Sequence, residues 1–269
     1  MLRNAQCIFP PILPPLIPLV SSPSSPATCY WPLRRVHCVG RNYALHVAEM
    51  RGAAGGGNCS NKDEGKQPVF FQKPTIGSVV NCCAYNASAD ASSRKKSNTV
   101  KYPASTSSLH YEVEMVIGVS SFLSSSSTSE CLKSISCVGV GVDLTRRDLQ
   151  SEAKKLGKPW DDAKSFDMSA PVSSMCLVGP SGGELEGWWK VGEIELKKNG
   201  VVMQSSMLKE MIMPPEVVVS ALSATHTLDS GDVIFTGTPE GVGECEVGDR
   251  IEFRMFAGEE ELRGWFDVV

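Results

Sequence analysis

The chain has 269 residues and carries 26 basic against 30 acidic side chains, for a net charge of -4. The basic residues are scattered, which disfavours nucleic-acid binding, and 42% hydrophobic with 21% charged residues is an ordinary globular composition. Its ten cysteines contain no C-x-x-C pair, which argues against a structural zinc site and a disulfide framework and for a reducing compartment.

Residues 1–30 contain no acid, a single arginine (Arg3) and several serines. The apolar stretch 8–20 holds five prolines, so it is no continuous helix and is too short to span a membrane. This segment reads as a Pro/Ser-rich arm, either a mitochondrial targeting peptide or an extended, disordered one, and as dispensable for folding. Residues 31–269 read as a single catalytic domain. Short strands are expected at 36–39 and 69–72. Residues 52–66, 84–99 and 120–129 are rich in Gly, Ser, Ala and Asn and read as flexible surface loops. Residues 148–156 have Leu149, Ala153 and Leu156 at helical spacing. Residues 194–198 and 201–204 flank Asn199-Gly200, a hairpin signal. Pro214-Pro215 opens a helix expected to reach residue 228. Strands follow at 233–236 and 250–255. Strands outnumber helices, giving a β-rich α+β domain.

Several polar residues sit at the edges of apolar runs. Glu112-Val113-Glu114 opens Met115–Val119, and Asp143 closes the run 137–142. Residues i and i+2 of a strand share a face, so Glu112 and Glu114 point into one space. Two buried carboxylates on one face repel and need compensation. A divalent cation supplies it, with Asp143 as third oxygen ligand, and all-carboxylate ligation suits Mg²⁺, Mn²⁺ or Ca²⁺. An edge strand with solvated glutamates is the competing reading; the apolar flanks and Asp143 favour the metal.

His46 and Glu49 are three apart in Gly40–Glu49. On a helix they share a face, where the carboxylate would raise the imidazole's basicity and suit it to activate water. A solvated surface pair is the competing reading. The Gly-rich stretch that follows would let the segment move as a lid. Lys164, between Ala163 and Phe166, is expected to be partly buried and could hold a substrate oxyanion or carboxylate, a plain surface lysine being the competing reading. Arg147 and Gln150 follow Asp143 on the next helix as candidate anion contacts, with a plain surface role competing for each, and Lys73 is ambiguous. Thr236–Gly243 lacks the lysine of a P-loop and the spacing of a dinucleotide fingerprint, yet its N–H groups and hydroxyls, Thr238 among them, suit a small carboxylate. A plain structural turn competes with that reading.

These segments together resemble the fumarylacetoacetate hydrolase family, in particular its small single-domain acylpyruvases that also decarboxylate oxaloacetate. The resemblance is carried, in family order, by Val39–Ala44 with His46 and Glu49, Phe70–Pro74, His110–Glu114, Asp143–Asp148, Lys158–Trp160, Ala163–Asp167 and Thr236–Gly243. It implies a β-roll of mixed sheets, a homodimer, and Mg²⁺ or Mn²⁺ on Glu112, Glu114 and Asp143. It also implies a lid with a His46/Glu49 dyad, a catalytic Lys164, and substrate contacts from Arg41, Lys73, Arg147, Gln150 and Thr238. The expected activity is metal-dependent cleavage of a C–C bond in a small 2-oxo acid, by acylpyruvate hydrolysis or oxaloacetate decarboxylation through a pyruvate enolate. Tautomerisation of a related enol acid is the alternative, and a non-catalytic 2-oxo acid binder the reading from another class. A soluble protein of the mitochondrion or cytoplasm with no membrane partner is expected. The arm and the three loops depart from the family pattern.

Overall fold

The computed structural model describes residues 13–27, 29–53, 68–82, 98–179 and 188–269. Most of the expected loops at 52–66 and 84–99 lies outside these residues. Among the described residues the main sheet has ten strands. Eight run in the spatial order Cys29–Pro32, Leu16–Val20, Met175–Leu177, Ile135–Val142, Val113–Val119, Asp232–Phe235, Arg35–Gly40 and Val69–Lys73. Ala170–Val172 joins Ile135–Val142 at the side and pairs with Val79–Asn81. The sheet is mixed: Leu16–Val20 runs parallel to Met175–Leu177, and Asp232–Phe235 parallel to Arg35–Gly40. A five-stranded sheet orders Val201–Met207, Glu193–Lys198, Arg250–Ala257, Glu260–Val268 and Thr99–Val100. Thr145–Arg146, Leu109–Tyr111 and Gly243–Cys245 form a third, small sheet. This is the β-rich α+β architecture expected.

Both central strands are buried on both faces, so their sequences read as continuous apolar runs. Val113, Met115, Ile117 and Val119 face one core, shared with Ile194, Leu196, Ile251, Phe253 and Met255 of the five-stranded sheet. Val116 faces a second core with Trp31, Met175 and Phe235. The Val-Gly alternation of 138–142 serves this division. A Cβ on Gly141 would stand 2.7 Å from the Phe235 ring, so glycine is what lets that ring lie on the strand. The five-stranded sheet buries one face only: Ile251, Phe253 and Met255 point in while Arg250 and Glu252 are exposed.

Three expectations are corrected. Leu16–Val20 is a strand rather than a disordered arm, with Ile17, Leu19 and Val20 buried. Pro18 is tolerated because it precedes the two residues, Leu19 and Val20, that pair with Met175 and Cys176, so no donor is missing from that ladder. Residues 120–129 are built, not loose. Leu123 and Leu228 exchange backbone hydrogen bonds of 3.0 and 2.9 Å, and Ser127 with Glu130 forms a capping box on the helix Thr128–Ser134. The third correction is the helix Pro215–Ser223, which stops short of residue 228 because the chain must turn to bring Leu228 to Leu123.

Ile17 is 1% exposed in the second core. Ile17→Ala should therefore cost roughly 2–5 kcal/mol in denaturant unfolding; an unchanged midpoint would return this segment to a dispensable arm. His37 lies under the same sheet with neither ring nitrogen hydrogen-bonded. Burial depresses its pKa to about 4, with Arg35, His226 and Arg34 adding to the effect and Asp232 opposing it. The unfolded chain takes up this proton near the ordinary pKa of about 6.5, before the folded one does. Stability should thus fall as pH drops from about 6.5 towards 4, by at most roughly 3 kcal/mol. His37→Leu should flatten that part of the stability-pH curve, measured by urea unfolding of both proteins. Equal slopes would show that His37 does not resist protonation.

Candidate active site

Two chain reversals bring the acids together. Glu112 occupies the break between Leu109–Tyr111 and Val113–Val119, and its carbonyl accepts from Asp143 N–H at 2.8 Å. Val113 pairs with Val142 and Glu114 with Gly141, so the start of one strand and the end of its neighbour share one edge. Glu112, Glu114 and Asp143 are buried, with ligand oxygens all within 4.8 Å of one another. The common face expected for Glu112 and Glu114 is what the chain adopts, although Glu112 itself precedes the strand.

Cations surround this cluster. Lys164, at the end of the short helix Asp161–Lys164, donates to Glu112 Oε2 at 2.8 Å, Asp143 Oδ2 at 2.6 Å and Thr145 Oγ1 at 2.6 Å. All three of its N–H groups are therefore taken by the protein. Lys73 Nζ lies 2.8 Å from Asp143 Oδ1 and donates to the carbonyls of Leu144 and Lys164. The Asp143 Oδ1 contact is an ion pair without hydrogen-bond alignment, since that oxygen has no aligned donor. Lys73 is buried, with its ammonium taken up by Asp143 and two backbone carbonyls. Arg147 pairs with Glu112 Oε1 and donates to Gln150 Oε1 at 2.6 Å.

The protonation pattern follows. Burial alone would raise Glu112, but Lys164, Arg147 and His46 hold it well below the usual range. Burial, then Asp143 and Glu112, push Glu114 well above it, against Lys164 and the Gly237 N–H. Burial disfavours the Lys164 ammonium, yet Asp143 and Glu112 outweigh this and raise its pKa.

Glu114 Oε2 accepts from Gly237 N–H at 2.7 Å. Gly237 has φ +101°, and a Cβ there would stand 2.6 Å from Asn42 Cβ, so only glycine presents this N–H. Asn42 ties the turn down, donating to Thr236 O at 2.7 Å and Met213 O at 3.0 Å and accepting from Met213 N–H at 2.7 Å. Gln204 fixes the same loop. Its Oε1 accepts from Val113 N–H at 2.9 Å, and its Nε2 donates to Thr238 Oγ1 at 2.9 Å and Pro239 O at 3.0 Å. Thr238, accepting this bond, keeps its own O–H proton free to donate.

His46 and Glu49 lie on the helix Ala44–Ala53, with Nδ1 3.4 Å from Glu49 Oε2. Glu49 Oε1 accepts from Gly241 N–H at 3.2 Å, which joins this helix to the Thr238 loop. Burial lowers the His46 pKa despite Glu112 and the Glu49 hydrogen bond. The imidazole is thus neutral near pH 7, with a basic Nε2 once Nδ1 serves Glu49. Arg41 has φ +68° and, among the described residues, no hydrogen-bond or ion-pair partner. Asn42, Thr145 and Gln204 escape sequence reading. Gln204 is buried while its strand neighbours Val202 and Met203 are exposed, an inversion of the usual pattern that hides a structural role.

The donor set fits a hard divalent cation. It is all carboxylate, buried, and includes an oxygen without an aligned donor and a glutamate that burial and its neighbours drive towards protonation. The family model "Fumarylacetoacetate (FAA) hydrolase C-terminal" matches residues 35–263. This strand-rich chain with a buried carboxylate cluster therefore belongs to the fumarylacetoacetate hydrolase family. It is 32% identical over 221 residues to oxaloacetate tautomerase YcgM of Escherichia coli, covering 82% of this chain and 88% of that one. It is 33% identical over 232 residues to the mitochondrial oxaloacetate tautomerase FAHD1 of Homo sapiens, covering 85% and 90%. The solved structure of a fumarylpyruvate hydrolase from Pseudomonas aeruginosa, in complex with Mn²⁺ and pyruvate, superposes with a TM-score of 0.79 at 32% identity, covering 98% and 99%. Among the described residues no helix is long and apolar enough to cross a membrane.

Glu114→Gln keeps an acceptor for Gly237 N–H but removes an ionisable oxygen ligand from the cluster. Metal-free thermal stability should hold or rise, while Mn²⁺ binding measured by calorimetry should be lost. Undiminished Mn²⁺ binding would remove Glu114 from the ligand set.

Proposed function

We propose that the chain is a divalent-metal-dependent enzyme that enolises small 2-oxo acids, with keto-enol interconversion of oxaloacetate as its reaction. The observation that carries this is His46, its Nδ1 3.4 Å from Glu49 Oε2, on a helix tied through Gly241 to the loop whose Gly237 N–H holds Glu114 of the carboxylate cluster. The names of the curated relatives favour oxaloacetate over other 2-oxo acids. Mg²⁺ or Mn²⁺ on Glu112, Glu114 and Asp143 supplies Lewis-acid polarisation of the 2-oxo group and compensates charge.

The remaining steps belong to the protein. Lys73, Lys164 and Arg147 match the three carboxylates in number, so a divalent cation leaves a positive surplus that suits an anionic substrate. His46 Nε2 takes the C3 proton and returns it to the other tautomer's site, while Glu49 fixes the ring and offsets the imidazolium charge. The Thr238 hydroxyl, the Gln150 amide and the unpartnered Arg41 offer donors to substrate oxygens. Lys164 acts by holding Glu112 and Asp143 together; an oxyanion contact would require it to release one of its three bonds.

A second reading is hydrolytic cleavage of an acylpyruvate, with His46 activating water instead. The likeness to the fumarylpyruvate hydrolase structure favours it, and decarboxylation of oxaloacetate would share the site. We also propose a homodimer, and a reducing mitochondrial or cytoplasmic setting. Cys29, Cys38, Cys131, Cys137 and Cys245 are free thiols and the human relative is named mitochondrial, which supports that setting.

His46→Ala should cut keto-enol conversion of oxaloacetate, followed by enol absorbance, by roughly 10²–10⁴-fold, with Mn²⁺ affinity unchanged. Acylpyruvate hydrolysis should fall similarly, whereas decarboxylation, which needs no proton abstraction, should fall far less. Full tautomerase activity in the variant would sink the role of His46.

A further inference from the structure

Lys154 belongs to the helix Arg147–Leu156, four residues past Gln150 and seven past Arg147, so the three share one face. A lysine in a final helical turn is ordinarily explained by the helix dipole, which Lys155 also serves. Lys154 differs in where its ammonium lies. Its Nζ is 5.2 Å from the centre of the Trp160 ring. Trp160 in turn stands 6.2 Å from Phe71, whose ring lies 5.0 Å from Lys164 Nζ. A Cβ on Gly40 would be 3.6 Å from Trp160, which puts the backbone leading into Arg41 against the same ring. Trp160 therefore lies between Lys154 and the backbone that leads into Arg41, one ring away from Phe71 and Lys164.

Neither cation is neutralised. Among the described residues Lys154, like Arg41, has no ion-paired carboxylate. The nearest acid of the cluster, Glu112, is already held by Lys164 and Arg147. Although the residue is exposed, partial desolvation and then the Arg147, Lys164 and Arg41 charges depress Lys154 to about 8, with Glu112 opposing. Crowded, unpaired cations on one rim are unfavourable unless an anion joins them.

We propose that Lys154, together with Arg41, forms a second anion subsite that receives the distal carboxylate of a dicarboxylic 2-oxo acid. The protein then selects diacids over 2-oxo acids of equal length with a neutral tail. This rests on the 2-oxo acid reading above and adds the side chain that sets substrate class.

The test uses the full chain loaded with Mn²⁺ and two ligands of equal length, 2-oxoglutarate and 2-oxopentanoate, titrated by calorimetry. Wild-type protein should prefer the diacid by roughly tenfold or more, the worth of one charge-assisted hydrogen bond. Lys154→Met keeps the stem over Trp160 and should bring the two affinities near parity by weakening the diacid alone. Lys154→Arg should retain the preference. Equal wild-type affinities, an unchanged preference in Lys154→Met, or equal weakening of both ligands would overturn the subsite while leaving the 2-oxo acid reading intact. Failure of both ligands to bind wild-type protein would overturn that reading, and the subsite with it.

Discussion

The structure depends on the mutual repulsion of Glu112, Glu114 and Asp143. Three buried carboxylates with oxygens within 4.8 Å of one another are stable only when charge is returned to them. The protein does this from three directions: Lys73 from beneath, Lys164 between Glu112 and Asp143, and Arg147 on the outer oxygen of Glu112. Among the described residues Glu114 receives only a backbone N–H, and it is the member whose proton affinity rises. The cluster is thus balanced on one side and deficient on the other. Such an asymmetric site suits a cation on the side of Glu114, where compensation is missing.

The architecture can be understood as what holds that imbalance in place. The ends of Val113–Val119 and Ile135–Val142 must coincide, and their register is set by two faces buried in different cores. A one-residue slip would put Glu114 into hydrocarbon. Gln204 adds a second restraint from the five-stranded sheet, bonding Val113 N–H between the two glutamates and the Thr238 loop opposite. Opposing sheets therefore fix the carboxylates and the loop that faces them through one amide side chain.

Much of the site was legible because its residues punctuate apolar runs. Glu112, Glu114 and Asp143 stand out where Val-rich strands begin and end, and the helix after Asp143 announces Arg147 and Gln150 by its spacing. What stayed hidden depends on contacts between distant segments. Lys73 looks like any lysine before a proline until Asp143, seventy residues away, closes over it. Leu16–Val20 is masked by its prolines, which suppress the local strand signal even though pairing to Met175–Leu177 avoids Pro18. Serine content at 120–129 resembles a linker, whereas Ser127 is a helix cap and Leu123 an anchor. Composition reports propensity; these segments are ordered by partners that composition does not name.

Glu49 connects the helix of His46 to the Thr238 loop. One carboxylate oxygen faces His46 Nδ1 and the other accepts Gly241 N–H, so ring tautomer and loop position are set by the same side chain. Glu49 is also half in solvent, with 37% of its side chain exposed, whereas the acids of the cluster are enclosed. Exposed hydrogen bonds exchange readily with water, so this clasp is the weakest join in the site. Displacement of the helix Ala44–Ala53 would carry His46 and Glu49 together and break the Gly241 bond, while Gln204 still holds the loop at Thr238 and Pro239. The Gly241 bond therefore fixes where the helix carrying His46 sits against the Thr238 loop, and a solvent-facing carboxylate is what holds that placement.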